Sequence, residues 1–462
     1  MFRSSLLRLP PTVYFLFYSR SMTSFAGYDA VFKLRCSSGV EVESFSPKMR
    51  QSGVLVDDSV LSSPELEMGT VTPDTCVAVR LRHKIGGIPK DKGSSSVRDP
   101  VVYFQTALLY TTQGGRRQVR VTTLALRTTS VTSEVFRLSD FGAITAFMTR
   151  DALSDLLRPD GSGTPAAARE AIVERCVNIL ANYRLHTSAK TSPSGQLILP
   201  ETLQLLPLFC LSLRKSPIFR PPLTKGFVAG RPSPTADERA YYILCAANIS
   251  ASLAMLTVHS NLYVLSKLRK MDGLWITPSP LPSNACCNIG TDQKSIDLAS
   301  CRPYIQLPKS AHPSIASIDD GGVYLLDDGF IFHLYLGRAV PASLLNDLIS
   351  FDPASQAPKL SASSESGQKV KGILWQLRNF SCLGGAAAPA LRPTSPSLVI
   401  VLANRSHQDG HRLQATYSDD AKHSFLENRF VARLVDDSTS HESDYSDFLC
   451  DLHRKIQIII DG

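Results

Sequence analysis

The sequence predicts a multidomain α+β chain: an antiparallel β-sandwich, then an all-helical domain, then a closing α/β domain. Three observations predict it. Apolar residues alternate along short segments up to about residue 133, and recur at three- and four-residue spacing from there to about 262. Beyond that, two apolar runs flank Asp327-Asp328-Gly329, a turn sequence whose glycine accepts the positive φ of a tight hairpin. A length of 462 residues accommodates two to four such cores. The working division is a leader over 1–22, a sandwich over 23–133, a helical domain over 134–262, and a linker with the α/β domain and terminal helix over 263–462.

The sandwich strands follow from alternation. Val77, Val79 and Leu81 fall on one face of a strand, with Arg80, Arg82 and Lys84 on the other. Gln118-Val119-Arg120-Val121-Thr122 alternates in the same way after the turn residues Gln113-Gly114-Gly115. In the helical domain Phe136, Asp140, Ile144, Met148, Ala152 and Leu156 keep a helical period, and Pro165 opens a second helix through Ile172, Cys176, Ile179 and Tyr183. The apolar run Leu203–Phe209 carries Pro207, which predicts a kink. Residues 263–310, Ser361 to Gln368, and Gly384 to Pro396 have loop composition. Tyr445, Phe448, Leu449, Leu452 and Ile456 form the stripe of a closing amphipathic helix, with Glu442 and Asp444 in its first turn and Arg454 and Lys455 in its last.

Composition excludes several classes. With 43% apolar and 19% charged residues the chain is globular rather than disordered, and no apolar run is long enough to span a bilayer. Ten scattered cysteines without a repeated Cys-x-x-Cys suit a reducing compartment and argue against a zinc site or a disulfide framework. The net charge of +8 is uneven: residues 80–120 hold nine lysines and arginines against Asp91 and Asp99. A solvated sheet face accounts for that bias. So does a surface for acidic partners, either anionic lipid headgroups or acidic peptide tails, for which Arg80, Arg82, Lys84, Arg116 and Arg120 are the candidates. Nucleic acid is not expected, for want of interleaved aromatics or a recognition helix. Residues 1–22 contain three arginines and no acid, a composition shared by transit peptides and by gene-model remnants.

No enzyme motif is present: no phosphate loop, no nucleophile elbow, no His-Glu-x-x-His. His407, His411 and His423 around Asp409 sit in a polar loop that offers no common face for a metal. Cys286, Cys287 and Cys301 lack zinc-ligand spacing. His333 and His453 stand in apolar or amphipathic elements and are expected to be structural.

In order, five segments resemble one family, the cargo-adaptor subunit of the inner COPII vesicle coat, the Sec twenty-four family. The segment from Gly27 to Gly39 resembles its entry into the sandwich, and Phe104–Tyr110 with Arg116–Val121 resemble two later strands. Glu201–Leu208 with Lys215-Ser216-Pro217 resembles its helical domain. The Leu325-Leu326-Asp327-Asp328-Gly329 hairpin resembles its gelsolin-like domain, and Leu434–Asp437 with Asp444–Ile456 resemble its terminal helix.

The resemblance implies a non-enzymatic coat subunit, cytoplasmic and peripheral on vesicles and on the endoplasmic reticulum membrane, that binds cytoplasmic tails of cargo and SNARE proteins in transport to the Golgi. The family's zinc ribbon and trunk have no counterpart here. No zinc cofactor is therefore expected, pairing with the sister coat subunit through the trunk stays open, and the leader is taken as a gene-model remnant. The alternative is an actin-regulating protein built on the gelsolin-like module, which usually occurs in tandem copies.

A candidate cargo site lies in Ala30–Cys36. Alternation sends Phe32, Leu34 and Cys36 inward and Lys33 and Arg35 outward, roughly 6–7 Å apart, within reach of one acidic peptide. The resemblance places paired arginines at these two positions and makes Leu109 an apolar member of the same pocket. Lys33 keeps the charge of the first arginine and loses its bidentate fork.

Overall fold

The computed structural model describes residues 26–46, 51–52, 65–72, 75–84, 101–158, 161–187, 193, 196–220, 236–248, 251–276, 304–351, 358–361, 363–379, 396–403, 426–435, 437 and 443–461. The leader, the His407/His411/His423 cluster, the Cys286/Cys287/Cys301 group and residues 384–395 of the Gly384–Pro396 loop lie outside them. Two compact units divide the chain. One holds Phe17–Cys210, Ala236–Ala254 and Leu449–Gly462; the other holds Leu211–Thr235 and Met255–Phe448.

The first unit begins with the sandwich. Its larger sheet runs β3-β4-β1-β6-β7, all antiparallel, from β1 (Gly27–Cys36), β3 (Gln51–Ser52), β4 (Glu65–Val71), β6 (Val101–Thr111) and β7 (Arg117–Arg127). The smaller layer is the pair β2 (Val40–Ser46) and β5 (Ala78–His83). Ala30, Leu34, Leu66, Met68 and Val102 share the buried face of the large sheet, and Phe32 meets Phe45 of β2 edge-on at 6.3 Å between ring centroids. Residues 78–83 and 117–127 are strands, as alternation requires. Leu81 departs from its expected burial at 39% exposure. The β6–β7 hairpin closes through Gly115 at φ +76°, where Thr112 N–H donates to Arg116 O at 2.9 Å.

Helices follow: α1 (Thr132–Arg137), α2 (Phe141–Leu156), α3 (Pro165–His186), α4 (Leu206–Lys215), α5 (Ala236–Asn248) and α6 (Ala251–Val258). The continuous period expected from Phe136 to Leu156 is broken. Asp140 sits in extended backbone and caps α2, its carboxylate accepting from Ala143 N–H at 2.9 Å. Pro165 opens α3 behind the Thr164 cap, as expected. Pro207 does not kink a helix: the preceding turn is a 3₁₀ element over Glu201–Leu203, so α4 starts at Leu206 and the proline falls in its first turn, where its missing N–H costs nothing. The terminal helix α9 (Tyr445–Asp461) buries Phe448, Leu452 and Ile456, and Asp444 caps it through Asp447 N–H at 2.8 Å. It runs past Arg454 and Lys455, which are mid-helix rather than in the last turn. From Leu449 onward it belongs with the sandwich and helices, and Lys455 Nζ meets Glu170 of α3 at 2.9 Å.

In the second unit β11-β8-β12-β13-β16 form one sheet, from β8 (Asn261–Val264), β11 (Ser310–Ala311), β12 (Val323–Asp327), β13 (Ile331–Leu336) and β16 (Ser397–Leu402). The β12–β13 hairpin is antiparallel as predicted, with Gly329 at φ +82°. β16 joins β13 in parallel after a crossover through α7 (Ala342–Leu348), the ribbon β14 (Ile349–Phe351) with β15 (Pro358–Leu360), and α8 (Glu365–Asn379). Both sheet faces are covered, so the central strands are continuously apolar rather than alternating. Leu325, Phe332 and Leu334 face Ile373 and Leu377 of α8; Tyr324, Leu326 and Tyr335 face Phe430 and Leu434. Two regions expected as loops are structured. β8, β11 and the ribbon β9 (Trp275–Ile276) with β10 (Tyr304–Ile305) lie in or near 263–310. Ser361–Gln368 enters α8, where Ser364 Oγ accepts from Gly367 N–H at 3.0 Å.

Candidate functional site

Register fixes what stands beside the proposed cargo residues. On β1, Lys33 faces Ala107 of β6 and Glu65 of β4; Val31 faces Leu109 and Glu67; Arg35 faces Gln105. Directly opposed residues of a sheet point to the same side. Lys33, Arg35 and Leu109 therefore share one face, opposite the buried row of Ala30, Leu34 and Leu66. Leu34 is buried; Phe32 and Cys36 are half-buried, and burial pushes the Cys36 thiol up while Lys84 opposes the shift.

The two cations are not equivalent. Lys33 Nζ meets Glu65 Oε1 at 2.5 Å, both side chains about one third exposed. Arg35 is exposed and has no carboxylate partner among the described residues. An acidic ligand competes with Glu65 for Lys33, so Arg35 is the cation it meets free. Glu65 lies some thirty residues from Lys33, and no local pattern announces that pairing.

The five other basic candidates divide between two sheets. Arg80, on β5, gives both Nη2 contacts to Asp151 of α2, at 2.7 and 2.6 Å, and Arg82 Nε meets Glu41 of β2 at 2.5 Å. Lys84 follows β5. Arg116 is in the β6–β7 turn and Arg120 on β7, which pairs with β6 and not with β5. Strands β5 and β7 are thus not ladder neighbours, and Arg80 and Arg82 are already matched by acids. Arg117, outside that set, clamps the β1 bulge: its Nη1 donates to Asp29 O and Oδ2, both at 2.7 Å, where Asp29 holds φ +49°.

One cavity of about 650 Å³ was not anticipated. Val79 and Leu81 of β5 wall it with Ile144, Phe147 and Met148 of α2 and Ile179 of α3, over the Arg80–Asp151 pair. The apolar positions were visible as helical periods; their convergence on a strand edge is a tertiary property. Among the described residues no group of three or more His, Cys, Asp or Glu could hold a metal. His333 and His453 have structural surroundings: His333 is 2% exposed beside Phe430, and His453 Nε2 lies 3.0 Å from Gln457 Nε2.

Comparison with known proteins gives this architecture its place. The Sec23/Sec24 β-sandwich domain model matches residues 27–129, the Sec23/Sec24 helical domain model 140–256, and the gelsolin repeat 305–368. The chain belongs to the Sec24 family. Protein transport protein SEC24 B of Arabidopsis thaliana is 26% identical over 93% of this chain, and human Sec24A 24% over 95%. The chain spans about one third of the length of these relatives, 31% and 32%. A crystal structure of the human COPII-coat protein Sec24c matches 97% of the chain at a TM-score of 0.67 and 22% identity, and covers 48% of that protein. That likeness is one of fold. Because the gelsolin repeat stands in order behind the two Sec23/Sec24 domains, it is part of this family's architecture, and the actin-regulating alternative is not favoured.

Proposed function

We propose that this Sec24-family chain selects cargo for COPII vesicles leaving the endoplasmic reticulum, by holding acidic sorting signals of cargo and SNARE tails on the outer face of β1. The observation that supports this is the common face of Lys33, Arg35 and Leu109, with Arg35 free of acidic partners among the described residues. Two cations on one strand hold a carboxylate-bearing peptide in one register, and Leu109 selects among its apolar residues. Hydrogen bonds to charged groups contribute about 1.5–3 kcal/mol each, so Lys33→Glu/Arg35→Glu should weaken acidic tail peptides on the order of a hundredfold. Leu109→Trp should change which peptides bind, and Glu65→Gln should tighten binding by releasing Lys33. Titration of tail peptides decides the matter. Unchanged affinity in both the charge-reversed protein and Leu109→Trp would remove the site, and unfolding of the charge-reversed protein would make these residues structural.

Attachment to the membrane is proposed to be peripheral and electrostatic; no described helix is long and apolar enough to cross a bilayer. Since Arg80 and Arg82 are ion-paired, Lys84, Arg116 and Arg120 carry most of it, at about 1 kcal/mol per cation near an anionic surface. Sedimentation with phosphatidylserine vesicles should fall at high salt and with Arg116→Glu/Arg120→Glu, and hardly change with Arg82→Ala. Binding indifferent to salt and to acidic lipid would count against this.

A further inference from the structure

Inside the sheet of the second unit, at the end nearest the β12–β13 turn, four buried polar atoms have no hydrogen-bond partner: Asp328 Oδ2, His333 Nδ1, His333 Nε2 and Ser397 Oγ. Their side chains belong to residues that are 4%, 2% and 7% exposed, so all three are interior groups rather than parts of a surface.

Register brings them to one place. β13 and β16 run parallel, with Ile331 beside Ser397 and His333 beside Val399. By alternation His333 and Ser397 share the face that carries Tyr335, Val399 and Val401 and packs against Phe430 and Leu434. Asp328 reaches this end from the turn, its Oδ1 held by the N–H groups of Phe330 and Ile331. Its other oxygen stands 3.1 Å from Arg433 Nε and 3.6 Å from His333 Nε2. The first is an ion pair whose angle makes no hydrogen bond, and the second distance is too long for one. Leaving a buried carboxylate oxygen and both nitrogens of a buried imidazole unbonded is costly, and native interiors satisfy such groups with protein atoms or with ordered water.

Charge and donor count define the guest. Arg433 already balances Asp328, and burial keeps the His333 ring neutral. A cation here would sit beside a guanidinium and an anion beside a carboxylate, so each is repelled by one member of the pair. A neutral guest must donate to Asp328, which only accepts, and must meet a ring that has one N–H and one bare nitrogen. Water donates and accepts at once, and buried waters take polar partners of this kind.

We propose that this end of the sheet is an internal hydration site, where a bound water bridges His333 Nε2 and Asp328 Oδ2 and Ser397 Oγ supplies a further polar wall. The water joins the hairpin turn to β13 and, through the Asp328–Arg433 pair, to the segment around Arg433. The site shares no residue with Lys33, Arg35 and Leu109, so its fate does not decide that of the proposed cargo face.

The test uses the full chain. Water oxygen-17 relaxation dispersion should count one more long-lived water in the parent than in His333→Phe, which removes both ring nitrogens and keeps a ring beside Phe430. His333→Gln, which retains a donor and an acceptor, should keep that water. Should His333→Phe fail to fold, the parent decides alone: with labelled histidine, the His333 ring protons should give rotating-frame cross-peaks to water, and crystals should show solvent density between His333 and Asp328. An equal count of long-lived waters in parent and His333→Phe would overturn the proposal. So would a direct bond of about 2.8 Å from His333 Nε2 to Asp328 Oδ2 with no cross-peak to water. Anomalous density at the site in crystals grown with bromide or rubidium would assign it to an ion and overturn the proposal equally.

Discussion

Replacing Arg433 by leucine is expected to destabilise the unit built on the β8–β16 sheet by about 3–5 kcal/mol, because it strands a buried carboxylate. Asp328 is 4% exposed in the β12–β13 turn. Its Oδ1 accepts from Phe330 N–H at 2.9 Å and Ile331 N–H at 2.6 Å, and its Oδ2 stands 3.1 Å from Arg433 Nε and 3.6 Å from His333 Nε2. Burial alone would raise this carboxyl. Arg433, helped by His333 and the turn amides, overrides it and holds the group well below the usual carboxylate range. Asp328→Asn keeps an oxygen for the two amides and removes the charge, so Arg433→Leu should be less damaging in that background. Urea unfolding of the four proteins gives the coupling directly, and a coupling below about 0.5 kcal/mol would show that the pair does not act as a unit.

The same cluster sets the response to acid. Burial depresses the pKa of His333, with Arg433 and Arg429 adding to the shift and Asp328 opposing it. The unfolded chain therefore takes up this proton more readily than the folded one as pH drops below about 6.5, so stability falls in that direction. Asp328 acts with the same sign lower down: its depressed carboxyl stabilises the fold above the ordinary value of 3.8 and that contribution fades in stronger acid. His333→Gln should flatten the stability profile between pH 7 and 5. An unchanged slope in that window would assign the acid sensitivity elsewhere.

What the sequence made legible follows from the range of the interactions involved. Strands 78–83 and 117–127, the hairpin around Gly329 and the buried stripe of α9 rest on alternation, turn chemistry or helical period, all encoded within a dozen residues. α8 was hidden because its entry is rich in Ser and Gly, and Ser364, which looks like a loop residue, is the group that accepts from the helix's first amides. The strands in 261–311 are two to four residues long and owe their form to partners on distant segments, such as Leu325 for Tyr263. The candidate site divides in the same way. That Lys33 and Arg35 share a face is a two-residue period; that Leu109 joins them and that Glu65 claims Lys33 depends on register across 76 and 32 residues.

The second large effect concerns a single buried lysine within the sheet unit. Lys215 ends α4, is 2% exposed, and gives its ammonium to Val435 O at 2.8 Å and Asp437 O at 2.9 Å. Arg220 works beside it, with Nη2 on Lys215 O at 3.0 Å and Ala432 O at 3.1 Å. Asp437 in turn receives Ser314 Oγ at 2.7 Å and Ile315 N–H at 3.0 Å. Two cations from the end of the helical stretch thus hold the carbonyls of Ala432, Val435 and Asp437, which lie outside regular helix and need donors. These bonds tie residues 215–220 into the sheet unit although they follow the helices in sequence. Lys215→Met preserves the apolar stem and leaves two acceptors without their ammonium partner, a loss of about 2–4 kcal/mol. The neighbouring Arg214→Met, which is only half-buried, should stay within about 0.5 kcal/mol of the parent. Limited proteolysis should show faster cleavage near Val435 in Lys215→Met and not in Arg214→Met. If the two variants unfold and cleave alike, the segment is held by Phe430 and Leu434 in the apolar layer rather than by the lysine.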